Sequence, residues 1–317
     1  MKHSKTKAAI IGCGRVGSTI AYTLALNYTV EEIVLIDQNE EAAKGNATDI
    51  SHALANVSAT TIYQGDYEDI KDSDIIIISV GVARKPGQSR LDLISQNAVI
   101  GKSVANSIKK WYNGGAVLVI FNPADVMTYM MDKWLDLPTG RVFGSGTVLD
   151  TARMNAEISR LYNADVRNIH SCVWGEHGDG SVPIWSLTNI GGINIKDYSR
   201  LCGVDFEGHA RIELEQAVKT AGSRIIAQKG ATCYGIAGAV MNITQAILRD
   251  SNMIMPLTVK CLGEYGIEGT ALSILVEVGK DGISQRYTPP INEQELSEMQ
   301  NSGRKLREII EQVEKIV

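Results

Sequence analysis

Three residues in the middle of this 317-residue chain have side chains suited to proton transfer and anion binding. His177 lies in the stretch 176–179 (EHGD), and Asp150 and Arg153 lie three residues apart in a stretch that we expect to be helical. An imidazole titrates near neutral pH, so His177 is a natural proton donor. Positions three apart share a helix face, where Arg153 can grip a carboxylate with two hydrogen bonds. The set predicts acid–base chemistry on a small organic acid.

A loop further upstream adds two more arginines. Residues 81–93 (GVARKPGQSRLDL) follow a predicted strand and contain Arg84 and Arg90. Pro86 and Gly87 suit a lid that closes over a substrate and excludes water. Arg90 on such a lid can polarise a carbonyl as negative charge develops on its oxygen. Arg84 would be carried into the same closed site.

A glycine-rich segment near the N-terminus is typical of dinucleotide binding. The sequence GCGRVG at 12–17 follows a predicted strand and opens a predicted helix. Its glycines permit a tight turn, close approach of a pyrophosphate and tight contact of helix with strand, while the helix N-terminus favours an anion. The predicted cofactor residues here are Gly12, Gly14, Arg15, Val16 and Gly17.

Asp37 predicts which dinucleotide is bound. It ends the second predicted strand, twenty residues after Gly17. Its carboxylate can accept hydrogen bonds from the ribose hydroxyls and would repel a 2′-phosphate, and neither Gln38 nor Asn39 supplies a compensating cation. NAD is therefore expected rather than NADP. With the acid–base residues, this predicts hydride transfer to a 2-oxo acid.

The order of predicted elements indicates an α/β fold. In the first half, short apolar runs alternate with helix-like stretches, which predicts a doubly wound parallel sheet of the Rossmann type. The second half mixes long helices with strands interrupted by glycine and predicts an α+β substrate domain. We place the boundary near residue 145, giving a dinucleotide-binding domain at 1–145 and a catalytic domain at 146–317. Asn292 and Glu295 predict the start of the last helix as a capping box.

Composition narrows the class and the location of the protein. A net charge of −5 gives no reason to expect nucleic-acid binding or a basic membrane patch. The five cysteines are widely spaced without a Cys-x-x-Cys pair, which argues against structural zinc or a disulfide framework. No apolar segment has the length of a membrane span or of a signal peptide's apolar region. These features favour a cytoplasmic protein with no metal.

The motifs together resemble the L-lactate/L-malate dehydrogenase family. The resemblance covers almost the whole chain and rests on the segments 12–17, 122–125 (NPAD), 144–153 (GSGTVLDTAR), 175–179 (GEHGD) and 229–232 (KGAT). It implies a homotetramer or homodimer and assigns Asp150 as the partner that orients His177. It also implies that Asn122 faces the nicotinamide, that Gly81 contacts the cofactor and that Thr232 lines the substrate pocket.

The resemblance leaves two substrates open. The body of the chain is more similar to L-lactate dehydrogenases, but Arg84 stands where lactate dehydrogenases typically carry Gln and malate dehydrogenases carry Arg. Oxaloacetate would present a second carboxylate to Arg84, whereas pyruvate presents a methyl group. An unpaired buried charge costs on the order of 3–5 kcal/mol, so Arg84 favours oxaloacetate.

A second departure concerns regulation. Many bacterial members of this family are activated by fructose 1,6-bisphosphate through a His, matched here by His170, and an Arg, replaced here by Asn155. Loss of a fixed cation weakens a phosphate site. We therefore expect weak or absent activation.

Two other classes share parts of this pattern. An NAD-dependent glycosidase would need a metal held by Cys and His, and would leave the Asp150–Arg153 pair without a purpose. A non-catalytic NAD-binding module would leave the arginines of the loop without one.

Overall fold

A parallel sheet with the strand order 3-2-1-4-5-6 forms the first half of the structure, a computed structural model that describes residues 5–82 and 90–317, with the backbone alone at 90 and 91. The strands run in parallel register and are β1 (Lys7–Ile11), β2 (Glu32–Ile36), β3 (Thr61–Gln64), β4 (Ile75–Ile78), β5 (Ala116–Val119) and β6 (Val142–Gly144). The helices between them are α1 (Arg15–Leu26), α2 (Glu40–Leu54), α3 (Arg90–Trp111) and α4 (Ala124–Leu135).

The strand order reverses between β1 and β4. With right-handed crossovers, this reversal puts α1 and α2 on one face of the sheet and α3 and α4 on the other. The strands between them are buried on both faces, and the four isoleucines of β4 are fully buried. Ligands of such sheets bind at the carboxyl ends of the strands where the order reverses, so the cofactor site is expected beside Gly12 and Ser79.

The sheet continues into the second half without interruption. Strand β6 pairs through Gly144 with Thr258 of the antiparallel strand β12 (Met253–Leu262). Within the described residues the sheet continues from β12 through three more strands, and a further strand at its side makes eleven in all. The remaining elements are α5 (Val148–Tyr162), β7 (Ile169–His170), β8 (Val173–Gly175), β9 (Ser181–Pro183), β10 (Asn189–Ile190), β11 (Ile193–Asn194), α6 (Ile195–Leu201), α7 (Arg211–Lys229), α8 (Tyr234–Leu248), β12 (Met253–Leu262), β13 (Glu268–Gly279), β14 (Gly282–Tyr287) and α9 (Glu293–Glu314). The predicted α/β fold class is confirmed; the division at residue 145 stays a prediction.

The structure departs from the predicted elements at three places. Strand β12 is not predicted by the sequence, because Pro256 in its middle is atypical of a central strand. The stretch 206–228 is expected to be one helix, but Phe206–Ala210 forms a π-helical turn before α7 begins. The sequence also predicts a helix over 231–248, and α8 begins three residues later, at Tyr234. None of the helices within the described residues is long and apolar enough to cross a membrane.

Helix α9 begins at the predicted capping box. The Asn292 side chain accepts a hydrogen bond from the Glu295 backbone, and the Glu295 carboxylate accepts one from the Asn292 backbone. Glu295 is 2% exposed and also accepts hydrogen bonds from the Ser186 backbone (3.0 Å) and hydroxyl (2.6 Å). The Glu295 carboxylate therefore caps the N-terminus of α9 and also attaches the helix to the segment after β9.

Replacing the two capping residues should separate these roles. Asn292→Ala removes one cap and should lower the free energy of unfolding by about 1 kcal/mol. Glu295→Ala also leaves two donors of Ser186 unpaired and should cost at least about 2 kcal/mol. Urea unfolding at fixed protein concentration measures both, with the exposed Glu308→Ala as control. Equal losses at the two positions would show that the Ser186 contacts contribute nothing.

Candidate active site

The glycine-rich turn after β1 forms a cradle at the point where the strand order reverses. Gly12 has φ +95°, and a Cβ atom there would lie 2.6 Å from the backbone of Ser79. A Cβ on Gly17 would collide with the carbonyl oxygen of Gly12. A Cβ on Gly14 would instead meet open space, at the N-terminus of α1. The first and third glycines thus permit the packing, and the second leaves room for a pyrophosphate.

Asp37 is held beside this cradle. One oxygen of its carboxylate accepts a hydrogen bond from the Cys13 backbone (2.7 Å) and the other from the Asn39 backbone (2.9 Å). The Asn46 side chain donates to the Cys13 carbonyl (3.0 Å) and so attaches α2 to the same turn. Each Asp37 oxygen keeps a lone pair for a ribose hydroxyl. The open space at Gly14 and this fixed acceptor fit NAD.

The opposite side of the site is organised by Asn97, a residue that no sequence motif marks. Asn97 is 2% exposed; its side chain accepts a hydrogen bond from the Val82 backbone (2.9 Å) and donates one to the Asn122 carbonyl (2.8 Å). Gly81, at φ +112°, passes close to the same amide. Asn97 therefore fixes Gly81 and Asn122 relative to each other. An isolated Asn within a helix gives no signal of this role.

Three other predicted residues lie at the edge of the cradle. Arg15 and Val16 begin α1, with Arg15 exposed and Val16 partly buried. A Cβ on Gly230 would lie 3.4 Å from the Arg15 guanidinium, which brings the segment before α8 next to the start of α1. Thr232 is half-buried in that segment. The hydrogen bonds that unite the acid–base residues do not include Thr232.

Asp150 connects His177 and Arg153. One oxygen of its carboxylate lies 2.6 Å from His177 Nδ1, and the other accepts a hydrogen bond from Arg153 Nη1 at 3.0 Å. The Asp150 side chain is 4% exposed, against 27% for His177 and 16% for Arg153. This is a buried pair and not a solvated surface ion pair. Nδ1 of His177 is directed at the carboxylate, so the second ring nitrogen that could take part in proton transfer is Nε2.

The charges of this group support a protonated histidine. Burial alone would lower the pKa of His177, but the charge and hydrogen bond of Asp150 raise it above its usual value of 6.5. Burial likewise opposes the charged form of Asp150, yet His177 and Arg153 hold the pKa of its carboxyl below 3.8. Asp150 therefore makes the imidazolium form of His177 more favourable than it is in a histidine without such a partner.

Two threonine hydroxyls, one as donor and one as acceptor, join the start of α5 to the strand that leads to His177. Thr147 donates to the Val173 carbonyl, and Thr151 accepts from the Val173 backbone at 3.1 Å. Both threonines belong to the stretch 144–153, in which the sequence predicts roles for Asp150 and Arg153 alone. They fix Asp150 on α5 relative to the end of β8, two residues before His177.

Two residues predicted to act on the substrate are not described by the structure. Arg84 lies outside the described residues. Helix α3 begins at Arg90, but the side chain of Arg90 lies outside them as well. The roles of both arginines stay predictions.

Asn155, which stands where the resemblance would place a phosphate-binding Arg, forms hydrogen bonds within the protein. The Asn155 side chain accepts hydrogen bonds from the Ser171 backbone (3.3 Å) and hydroxyl (2.7 Å). His170, next to Ser171, is exposed. Asn155 thus attaches α5 to the segment between β7 and β8, and the expectation of weak activation by a sugar bisphosphate stands as a prediction.

Comparison with known proteins identifies the family. Residues 6–144 match the model of the lactate/malate dehydrogenase NAD-binding domain, and residues 147–317 match that of the lactate/malate dehydrogenase alpha/beta C-terminal domain. This chain belongs to the lactate/malate dehydrogenase family. As a member it is an NAD-dependent oxidoreductase acting on a CH–OH group, which confirms the predicted cofactor and enzyme class. The matches give no support to the glycosidase or the non-catalytic module.

Relatives and solved structures agree with this membership in the family. The L-lactate dehydrogenase of Thermoanaerobacter sp. (strain X514) is 43% identical over 97% of this chain and 99% of its own length. That of Thermoanaerobacterium saccharolyticum is 41% identical over 98% of this chain and 99% of its own. The crystal structure of the minor L-lactate dehydrogenase of Enterococcus mundtii superposes with a TM-score of 0.93 at 34% identity, covering 97% of this chain and 98% of that one.

The glycines of the cradle offer a matched pair of substitutions. Gly14→Ala should leave the stability of the cofactor-free protein unchanged, because the new methyl meets no atom of the protein, but should weaken NADH binding by about tenfold or more. Gly17→Ala should instead destabilise the protein by about 1–3 kcal/mol, because its methyl collides with Gly12. Thermal unfolding and NADH fluorescence titration measure the two effects. Unchanged NADH affinity in Gly14→Ala would contradict the assignment.

Proposed function

We propose that this enzyme catalyses the reversible reduction of a small 2-oxo acid to the L-2-hydroxy acid, with His177 as proton donor. The observation that carries the proposal is the buried Asp150 carboxylate shared by His177 and Arg153. It supports the proposal because the proposed proton donor and the proposed carboxylate-binding residue both contact the same carboxylate. NADH, when bound, supplies the hydride.

Proton transfer in this proposal takes place at Nε2 of His177. The imidazolium donates this proton to the carbonyl oxygen of the substrate, and the resulting neutral ring keeps its Nδ1–H bonded to Asp150. In the reverse direction the neutral ring accepts the hydroxyl proton. Asp150 stays charged throughout and fixes the orientation of the ring.

Arg153 is proposed to bind the substrate carboxylate. Only its Nη1 is occupied by Asp150, so the rest of the planar guanidinium can form a two-pronged pair. Arg153 also lines a cavity of about 350 Å³ between α5 and α7. Gly222 on α7 lies near the guanidinium, since a Cβ there would be 3.8 Å from Arg153 Nη2. Arg90 is proposed to polarise the carbonyl, and Thr232 and Asn122 to line the site.

Two substrates are supported by different observations. The relatives named L-lactate dehydrogenase support pyruvate and L-lactate. Arg84 favours oxaloacetate, because it would pair with the second carboxylate. We propose an enzyme of the L-lactate dehydrogenase type that also reduces oxaloacetate well.

We also propose a homo-oligomer, a homotetramer or a homodimer, located in the cytoplasm. Large apolar side chains exposed on the single chain support an oligomer; they include Leu201 (75%), Tyr234 (73%) and Ile212 (61%). The five free cysteines fit a reducing compartment.

Removing the imidazole tests the proposed mechanism. His177→Asn should slow turnover of pyruvate and oxaloacetate on the order of a thousandfold, with NADH affinity retained. In the unmodified enzyme, kcat/KM for reduction should fall as the pH rises through the raised pKa of His177, because the imidazolium is then lost. His209→Asn is the matched control, since His209 is exposed on the π-helical turn. Wild-type turnover in His177→Asn would remove this residue from the mechanism.

Replacing Arg84 tests the choice of acid. In Arg84→Gln, the ratio of kcat/KM for oxaloacetate to that for pyruvate should fall by roughly a hundredfold or more, because the guanidinium no longer pairs with the second carboxylate. Steady-state kinetics on both acids measures this ratio. Arg167→Gln, at an exposed ion pair with Asp165, serves as control. A wide preference of the wild-type enzyme for pyruvate would refute the pairing of Arg84 with substrate.

A further inference from the structure

Asp125 is a buried carboxylate that the proposed mechanism does not use. It lies in the first turn of α4, three residues after Asn122, and is 2% exposed. One oxygen accepts a hydrogen bond from the His177 backbone at 2.7 Å. The other accepts from the Thr258 hydroxyl at 2.5 Å, and that hydroxyl lies 3.2 Å from Ser273 Oγ.

The backbone contact fixes the main chain of His177 directly. The neighbouring Gly175 (φ +83°) and Gly178 (φ +115°) have backbone conformations that other residues rarely adopt, so the chain turns sharply on both sides of His177. Asp150 orients the ring from α5, whereas Asp125 holds the backbone from α4 and the sheet. Two separate helices, α5 and α4, thus hold the position of the imidazole.

Burying the negative charge of Asp125 is costly. A neutral asparagine could make the same number of hydrogen bonds, so the bonds alone do not account for a carboxylate here. No ion pair joins Asp125 to a Lys or Arg among the described residues. Burial raises the pKa of its carboxyl to about 6, against the effect of the bonds from Thr258 and the His177 backbone. The N-terminus of α4 favours a negative charge at this position. At pH values well above this pKa the carboxylate is charged, and it contacts the backbone of His177, the proposed proton donor.

We propose that Asp125 is a positioning residue for proton transfer, which anchors the main chain of His177 and favours its cationic ring through a buried negative charge. This inference rests on the proposed function. Among the described residues, three charged groups act on the pKa of the His177 ring. Asp150, which contacts the ring, and Asp125 raise this pKa, whereas Arg153 lowers it. Glu176 acts on Asp125 itself.

Asparagine at position 125 separates the two roles. Its carbonyl oxygen can accept from the His177 backbone while its amide donates to Thr258, whose hydroxyl then donates to Ser273, so Asp125→Asn keeps the anchor and removes the charge. Asp125→Ala removes both. Asp132→Asn is the matched control, because it is the same change on the same helix at a residue paired with Lys260.

Two readouts test the proposal. The first is the NMR titration of the His177 imidazole, identified among the five histidines by the signal missing in His177→Asn. The titration midpoint should move to lower pH by at least about half a unit in Asp125→Asn and stay in place in Asp132→Asn. The second is steady-state kinetics. Asp125→Ala should lose at least about tenfold in kcat, with KM and NADH affinity changed less than about threefold, and Asp125→Asn should restore most of this loss at low pH.

The outcomes distinguish this inference from the proposed function. Coincident titrations of His177 in wild type and Asp125→Asn would overturn the charge effect. A wild-type kcat in Asp125→Ala below its unfolding temperature would overturn the anchoring, and Asp125→Ser replaces that variant if it cannot be purified. Wild-type turnover in His177→Asn would instead refute the proposed function, leaving the NMR result to stand by itself.

Discussion

The site depends on one buried carboxylate with two cationic partners. Asp150 is nearly inaccessible to water, and its charge is compensated by His177 on one side and Arg153 on the other. Removing either partner would leave a buried charge that is only half paired, which is costly in a low-dielectric environment. The same arrangement fixes the ring of the proposed proton donor and one edge of the Arg153 guanidinium. The contacts that balance the charge of Asp150 are therefore the same contacts that orient the proposed catalytic groups.

The fold brings the remaining parts to this carboxylate from distant segments. Gly12 and Ser79 meet where the strand order reverses, and Asn97 ties the segment after β4 to Asn122. From Asn122 it is three residues to Asp125, which reaches the backbone of His177. Hydrogen bonds of the buried Asn97 and Asp125 thus form a short connection from the cofactor cradle to the proposed proton donor. Its members are neutral amides and a single acid, which suits a region that must also accept a charged cofactor.

Much of this was predictable because it depends on local sequence. The GCGRVG turn, the acid that ends β2, the Asp150–Arg153 spacing and the capping box of α9 each lie within one short segment. The contacts of Asn97, Asp125 and Glu295 were not predictable, since each joins segments far apart in the chain and a lone Asn, Asp or Glu has no distinctive spacing. Strand β12 was hidden by Pro256, which the ladder tolerates between two paired neighbours. Tertiary partners, and not propensities, decide these positions.

The ladder between β6 and β12 has a mechanical consequence. Because Gly144 pairs with Thr258 within one continuous sheet, the two halves of the chain are joined through the main chain of β6 and β12. Moving the two halves apart would break the pairing of β6 with β12 and expose the apolar residues beside it. Admission and release of ligands must therefore be accommodated by pieces that lie off the sheet, such as the ends of α3 and α7, while the platform beneath them stays rigid.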